Sequence, residues 1–360
     1  MLAYYILIGA SLAFAIWHKL KYSSLTQDRK TNFCLPCFFL ILFLMLALRD
    51  ISCGVDLANY QSTFSRIQAM TFGEVWSRYR VEQLFYFSNK LTALFSGDFR
   101  LFLALTAAAT TLPLAVFYKR ESDLPFLTAI LFLTVAPFSM FFSGLRQAIA
   151  MIFTIPVWHL TKRKRLLWTA VVVFIAFLFH QSAIILLAIY PLYHLKITKK
   201  WLWVVVPALI VTFLFRDSLF VLLLSLMGSR YEDRYGLVTN TGAYTMLILF
   251  VLFAVFSYIV ADEERMDQDT VAMRNFLIFS IFIQFFASLN TVAMRFNYYF
   301  LLFIPVLIPK VIRYAKRRYE EVAKLSYVVM FFFFTAYFFV NAYTGADIMH
   351  VYPYVPFWEG

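Results

Sequence analysis

"MFFSGLRQAIAMIF" (residues 140–153) sets an arginine and a glutamine inside a long apolar run. An ionised side chain at the centre of a bilayer span costs about 2.5–3.5 kcal/mol on insertion scales, so where one occurs it marks a ligand or ion pathway. The sequence on either side is just as apolar. Of 360 residues 62% are hydrophobic, 20% aromatic and 14% charged, more apolar than a soluble domain of this length. The chain therefore reads as an all-α, polytopic integral membrane protein. Its 22 tyrosines suit bilayer interfaces, because one end of each ring stays wet.

Apolar runs fall at about 2–17, 33–48, 101–118, 124–141, 144–160, 166–180, 182–195, 201–215, 243–260, 275–290, 295–312 and 325–341. Each is counted as a crossing, although a full crossing takes about 20 residues and several runs are shorter. That gives about 12 transmembrane helices in one domain, 1–360. Two outer loops, 49–100 and 216–242, each carry a short helix. The runs 83–96 and 219–227 read as those helices, lying on the surface or dipping partway in. The first run is followed by a second one and not by a small-residue cleavage site, so it reads as a retained span.

With the N-terminus outside, 21 of the 32 basic residues fall on the cytoplasmic side, including "TKRKR" (161–165) and the set between 310 and 324. This is the positive-inside pattern, and it accounts for the net charge of +12 without any nucleic-acid partner. Of the 11 basic residues left outside, ten are arginines, whereas the inner ones favour lysine by 12 to 9. A topology signal needs only charge. The planar arginine fork is what bidentate phosphate or carboxylate recognition needs. The outer face thus reads as an anion site.

Several residues could furnish its chemistry. Arg146, with Gln147, stands at the outer end of the span 144–160, where Ser143 and Gly144 permit close approach of another group. As two short spans, 166–195 turns at His180-Gln181-Ser182 and puts His180 on the same face. One long span would instead carry Lys196, Lys199 and Lys200 outside. His18, His159 and His194 flank basic inner loops and read as interfacial. "RDISCGVDLANY" (49–60) supplies Arg49, Asp56 and Tyr60, and Glu82 heads "EQLFYF"; Asp56 and Glu82 are available general bases. In "GSRYEDRYG" (228–236) a helix would put Arg230 and Arg234 on one face, and Arg295 opens a span at the same level. Each has a plainer alternative: a snorkelling arginine, a solvated loop, an amphipathic interfacial helix. Cys34 and Cys37 form a C-x-x-C with no second pair or histidine nearby, so no metal site is expected. No Walker loop, G-x-G-x-x-G, D-x-D or H-E-x-x-H occurs.

In order along the chain, these motifs resemble the EpsG family of Wzy-type polysaccharide polymerases. The resemblance rests on R-x4-G-x-D-x3-Y from Arg49 to Tyr60, E-x-L-F from Glu82, S-G-L-R-Q-A-I-A around Arg146, H-Q-S-A-I from His180, Arg295, and "VYPYVPF" (351–357). Leu57 departs from it, standing where a small hydroxyl residue is expected after Asp56. The resemblance implies an architecture like that of multi-span glycosyltransferases using lipid-linked sugars. The active site would lie outside the bacterial cytoplasmic (inner) membrane.

The implied activity moves a growing chain from polyprenyl pyrophosphate onto the non-reducing end of a new lipid-linked oligosaccharide repeat unit. Partners would be the polyprenyl-pyrophosphate-linked donor and acceptor, membrane lipid, a chain-length regulator and a flippase. No cofactor and no metal are implied. Such chemistry suits the residues: arginines can hold the developing diphosphate charge without metal. On this reading Arg146, Arg49 and Arg295 hold pyrophosphate, with Gln147, Tyr60, Arg230 and Arg234 as further binding candidates. Asp56 or His180 is the base, and Glu82 positions sugar hydroxyls. A flippase or transporter would spread charge through the midplane and show an internal repeat of spans. A chain-to-lipid ligase would share the arginines and the base.

Overall fold

The computed structural model describes residues 1–22, 33–227, 242–261, 266–316, 319–344 and 349–360. Among these the regular structure is helical, and the sole β-type pairing is one isolated bridge between Arg49 and Pro356. Each of the twelve apolar runs lies on helix, but few of those helices are long. Four qualify by length and composition as membrane spans: Phe99–Glu121, Ala243–Val260, Gln268–Ala287 and Glu320–Thr344. The number rises to six if two bent pairs each count as one span. The expected twelve is therefore not reached.

Two physical reasons account for the difference. Some helices stop early: Cys34–Ala47, of 14 residues, rises only about 21 Å against a hydrocarbon core of about 30 Å. Others are broken by proline. The run 144–160 divides into Leu145–Ile152 and Thr154–Lys162, because Pro156 has no N–H to bond the carbonyl of Ile152. The run 124–141 breaks before Pro137, between Pro125–Thr134 and Phe138–Ser143.

The described chain forms two compact units. The first comprises Met1–Leu187 with Val328–Gly360. Its helices are α1 (Leu2–Tyr22), α2 (Cys34–Ala47), α3 (Leu57–Gln68), α4 (Phe72–Arg78), α5 (Gln83–Phe95), α6 (Phe99–Glu121), α7 (Pro125–Thr134), α8 (Phe138–Ser143), α9 (Leu145–Ile152), α10 (Thr154–Lys162) and α11 (Leu166–Phe179). α2 lies along α6, with Phe39 stacked on Tyr118 at 5.6 Å and edge-on to Phe132 of α7. A second apolar cluster joins α3, α5, α6 and α9 through Leu57, Tyr60, Phe64, Phe85, Phe102 and Leu145. The segment 49–100, expected to hold one short helix, holds α3, α4 and α5.

The end of the chain fastens onto the loop before α3. Asp50 N–H donates to Val355 O at 2.9 Å, Phe357 N–H to Leu48 O at 2.9 Å and Val55 N–H to Met349 O at 3.2 Å. "VYPYVPF" thus packs against the R-x4-G-x-D stretch, 300 residues earlier in the chain. Gly54 completes the arrangement. Its φ of +132° is glycine territory, and a Cβ there would stand 2.4 Å from the Phe142 carbonyl oxygen. Gly54→Ala should cost about 1–3 kcal/mol and push the loop off α8. Thermal unfolding in detergent will show a lowered midpoint; an unchanged one refutes the packing argument.

The second unit is Ala188–Tyr327. Its most buried span is Gln268–Ala287. That helix seals the interruption between His194 and Lys199. Asn275 Nδ2 donates to Leu192 O and Leu195 O, both at 2.9 Å, and Arg274 Nη2 donates to Ile197 O at 2.9 Å. A backbone that leaves helix inside a membrane protein needs such substitutes for its lost bonds.

Candidate functional site

The polar cluster of the first unit gathers where α3, α5, α9 and α11 begin or end, above the apolar cluster of Tyr60, Phe85 and Leu145. Each element delivers one group. Arg146 lies in the first turn of α9, just after the break at Gly144. Glu82 occupies the N-cap position of α5 and His180 the C-cap of α11. Tyr60 is one turn into α3, its N–H bonded to Asp56 O at 3.1 Å.

Glu82 is the hub. Its Oε2 accepts from Arg146 Nη1 at 2.6 Å; its Oε1 lies 2.5 Å from His180 Nδ1 and accepts the backbone N–H of Gln181 at 3.2 Å. The side chain is only 7% exposed, against 11% for His180 and 35% for Arg146. Burial opposes ionisation of Glu82, but the hydrogen bond and charge of His180, the charge of Arg146 and the Gln181 N–H together outweigh it. The carboxyl therefore sits below its usual range.

The backbone of Glu82 is also unusual. Its φ of +57° and ψ of +42° are left-handed, a conformation that costs a non-glycine residue about 1–3 kcal/mol and that clusters at functional sites. As N-cap it makes no side-chain bond to its own helix. The carboxylate is turned instead toward Arg146 and His180.

A carboxylate has no proton to give at neutral pH, so His180 Nδ1 carries the hydrogen and donates it to Glu82. When the ring is neutral, Nε2 is then its acceptor nitrogen. Arg146 is held just as firmly. Nε donates to Tyr60 OH at 3.4 Å and Nη1 also reaches Tyr86 OH at 3.4 Å, while the guanidinium lies 5.7 Å from the Tyr60 ring centre. Burial pushes both phenols up, so they remain hydroxyls. Nε and Nη1 carry the hydrogen bonds of Arg146 among the described residues, and Nη2 carries none.

Asp56 stands apart from this hub. Ser143 Oγ donates to its Oδ2 at 3.4 Å, and its own N–H donates to Ser143 Oγ at 3.3 Å. Although it is the N-cap of α3, its side chain makes no capping bond, and it is half-buried. Gln147 is buried beside Arg146. Arg49 is buried as well, donating through Nη1 to Leu46 O at 2.8 Å and lying 5.4 Å from the Phe142 ring centre. Its bonds do not join it to Glu82. Arg295 belongs to the second unit, and Arg230 and Arg234 lie outside the described residues. Tyr86 and Ser143 are partners that sequence reading did not assign. Tyr86 was one helical turn from Glu82 and so on its face of α5; Ser143 reads in the sequence only as a small residue permitting close approach, and its bonds to Asp56 carry no signal there.

Because the Glu82 carboxyl is held low, the stability it contributes is complete above its unfolded value, about 4.3, and disappears as pH falls through the folded value. The stability difference between wild type and Glu82→Gln should therefore be constant near neutrality and collapse below about pH 4. Urea unfolding at a series of pH values will read it; a difference that grows on acidification contradicts the pairing.

The EpsG family model matches residues 32–355. No curated protein and no solved structure matches the chain. The family's members are Wzy-type, exopolysaccharide polymerase-like membrane proteins, and the matched range takes in Arg49, Glu82, Arg146, His180 and Arg295 and ends within the C-terminal segment 351–357. The chain belongs to the EpsG family and is a membrane protein of polysaccharide biosynthesis.

Proposed function

We propose that the protein is a glycosyltransferase that polymerises polyprenyl-pyrophosphate-linked oligosaccharide repeat units at the outer face of the inner membrane. The observation carrying this reading is the bonding of one carboxylate, Glu82, to both Arg146 and His180. An anion-binding fork and an oriented imidazole in one half-buried cluster are the two parts that sugar transfer from a diphosphate requires. The acceptor hydroxyl loses its proton to His180 Nε2 as its oxygen bonds to the anomeric carbon. The bond from that carbon to the diphosphate oxygen breaks, and the electron pair leaves with the diphosphate, whose charge meets Arg146 Nη2.

Glu82 holds the imidazole in the tautomer that leaves Nε2 open, as a carboxylate does for the histidine of a serine-protease triad. Asp56, free of its own helix cap, accepts hydrogen bonds from sugar hydroxyls. Arg49 and Gln147, in the same unit, are further candidates for the diphosphate. The exposed apolar helices receive the lipid tail.

The test is reconstitution in nanodiscs with a lipid-linked repeat unit as the sole substrate. A ladder of chain lengths is expected. No product beyond the single unit overturns the reading, and a single transfer that occurs only once a different lipid core is added would identify a ligase instead. Sidedness has its own test. With the native cysteines replaced, Arg78→Cys at the end of α4 should react with a membrane-impermeant maleimide in intact spheroplasts, and Lys164→Cys only after permeabilisation. The reverse pattern excludes an outer site.

A further inference from the structure

We propose that Glu82 couples the two halves of this cluster, so that a diphosphate on Arg146 increases the proton affinity of His180. The inference rests on the reading of Arg146 as the anion site and adds a regulation to it. Both oxygens of the carboxylate are committed: Oε2 to Arg146 at 2.6 Å, and Oε1 to His180 and Gln181 at 2.5 and 3.2 Å. While Arg146 has no anion, its positive charge absorbs much of the Glu82 negative charge and also opposes a second cation on the imidazole. An anion at Nη2 neutralises the guanidinium. Glu82 is then left to stabilise positive charge on His180 alone, and both effects act in the same direction.

Glu82 and His180, 7% and 11% exposed, interact with little screening, whereas Arg146, 35% exposed, is partly screened by water. Few other groups compete. α11 carries no ionisable residue between Arg165 and His180. Of the helices packed on it, α9 offers only Arg146, α5 offers Tyr86 and Lys90, and α10 offers His159 and Lys162 in its last turn. Lys90 is bonded to Gln68 O at 3.0 Å. α3 reaches the cluster with Tyr60 and carries Asp56 one turn earlier. The consequence for catalysis is ordering. The imidazole becomes a strong proton acceptor when the leaving group is in place, and the empty site does not prime it.

Binding and protonation linked in this way are reciprocal, so anion binding must take up protons. The experiment is calorimetry of inorganic pyrophosphate binding to the full chain in nanodiscs, in two buffers of different ionisation enthalpy. Wild type should take up more protons than His180→Gln, by up to about half a proton at the best pH for a tenfold coupling. Glu82→Gln should shrink that excess to the part that comes from relief of the Arg146 charge alone, and an excess unchanged by Glu82→Gln overturns the role of Glu82 as coupler. Equal uptake by wild type and His180→Gln overturns the coupling, while leaving the anion site standing if Arg146→Ala weakens binding. If wild type fails to bind pyrophosphate, or Arg146→Ala binds it equally, the anion site itself is wrong and the coupling falls with it.

Discussion

Arg146→Ala leaves lipid-linked single repeat units where the wild type makes long chains, with polymerisation reduced by about 10²–10³-fold. That is the usual cost of removing one preorganised donor from a developing anion. The loss is not expected to come from unfolding. Without Arg146, Glu82 keeps His180 Nδ1 and the Gln181 N–H as partners, so the buried carboxylate is not stranded. Arg146→Lys should restore little. An ammonium cannot meet Tyr60, Glu82 and Tyr86 and still present a separate free edge, as the guanidinium does. Gel profiles of polymer length, with the membrane level of each variant measured alongside, decide the point. Long polymer from Arg146→Ala at normal abundance removes the anion role.

His180→Gln should lower turnover by about 10²–10⁴-fold, the range for loss of a positioned general base, and leave donor binding intact. Glu82→Gln should fall short of that loss, because the imidazole remains but is no longer held in one tautomer. The informative variant is the double one. If Glu82 acts on turnover through His180, then Glu82→Gln with His180→Gln is no slower than His180→Gln alone. Two losses that multiply would mean that Glu82 also acts apart from His180, through its bond to Arg146 or on the substrate itself, the latter being what the sequence alone suggests. Release of polyprenyl pyrophosphate from the donor, one per transfer, provides the assay, and it is independent of product length.

Much of this was legible in the sequence, for identifiable reasons. The twelve apolar runs all fall on helix, since hydrophobic length needs no partner to be read. Continuity was harder. Pro156 and Pro137 break helices within runs that hydropathy alone reads as unbroken, so helices were located better than spans. At the site, Arg146, His180, Glu82 and Tyr60 were all singled out, and the structure brings them together. Their pairing was not legible. Positions 82, 146 and 180 are far apart in the chain, and only packing of α5, α9 and α11 makes one carboxylate serve both side chains. Arg49 differs again: its fork binds the carbonyl at the end of its own helix, a contact that charge patterning cannot foresee.

The left-handed twist at Glu82 has a practical corollary for anyone trying to toughen this protein. Glycine or asparagine would sit more comfortably in that conformation, so Glu82→Gly relaxes the chain at the very residue whose carboxylate ties three elements together. That relief is smaller than the cost of leaving the part-buried donors of Arg146, His180 and Gln181 without their acceptor, so a screen for heat resistance should pass over position 82. The discomfort kept there is the cost of aiming one oxygen at each neighbour.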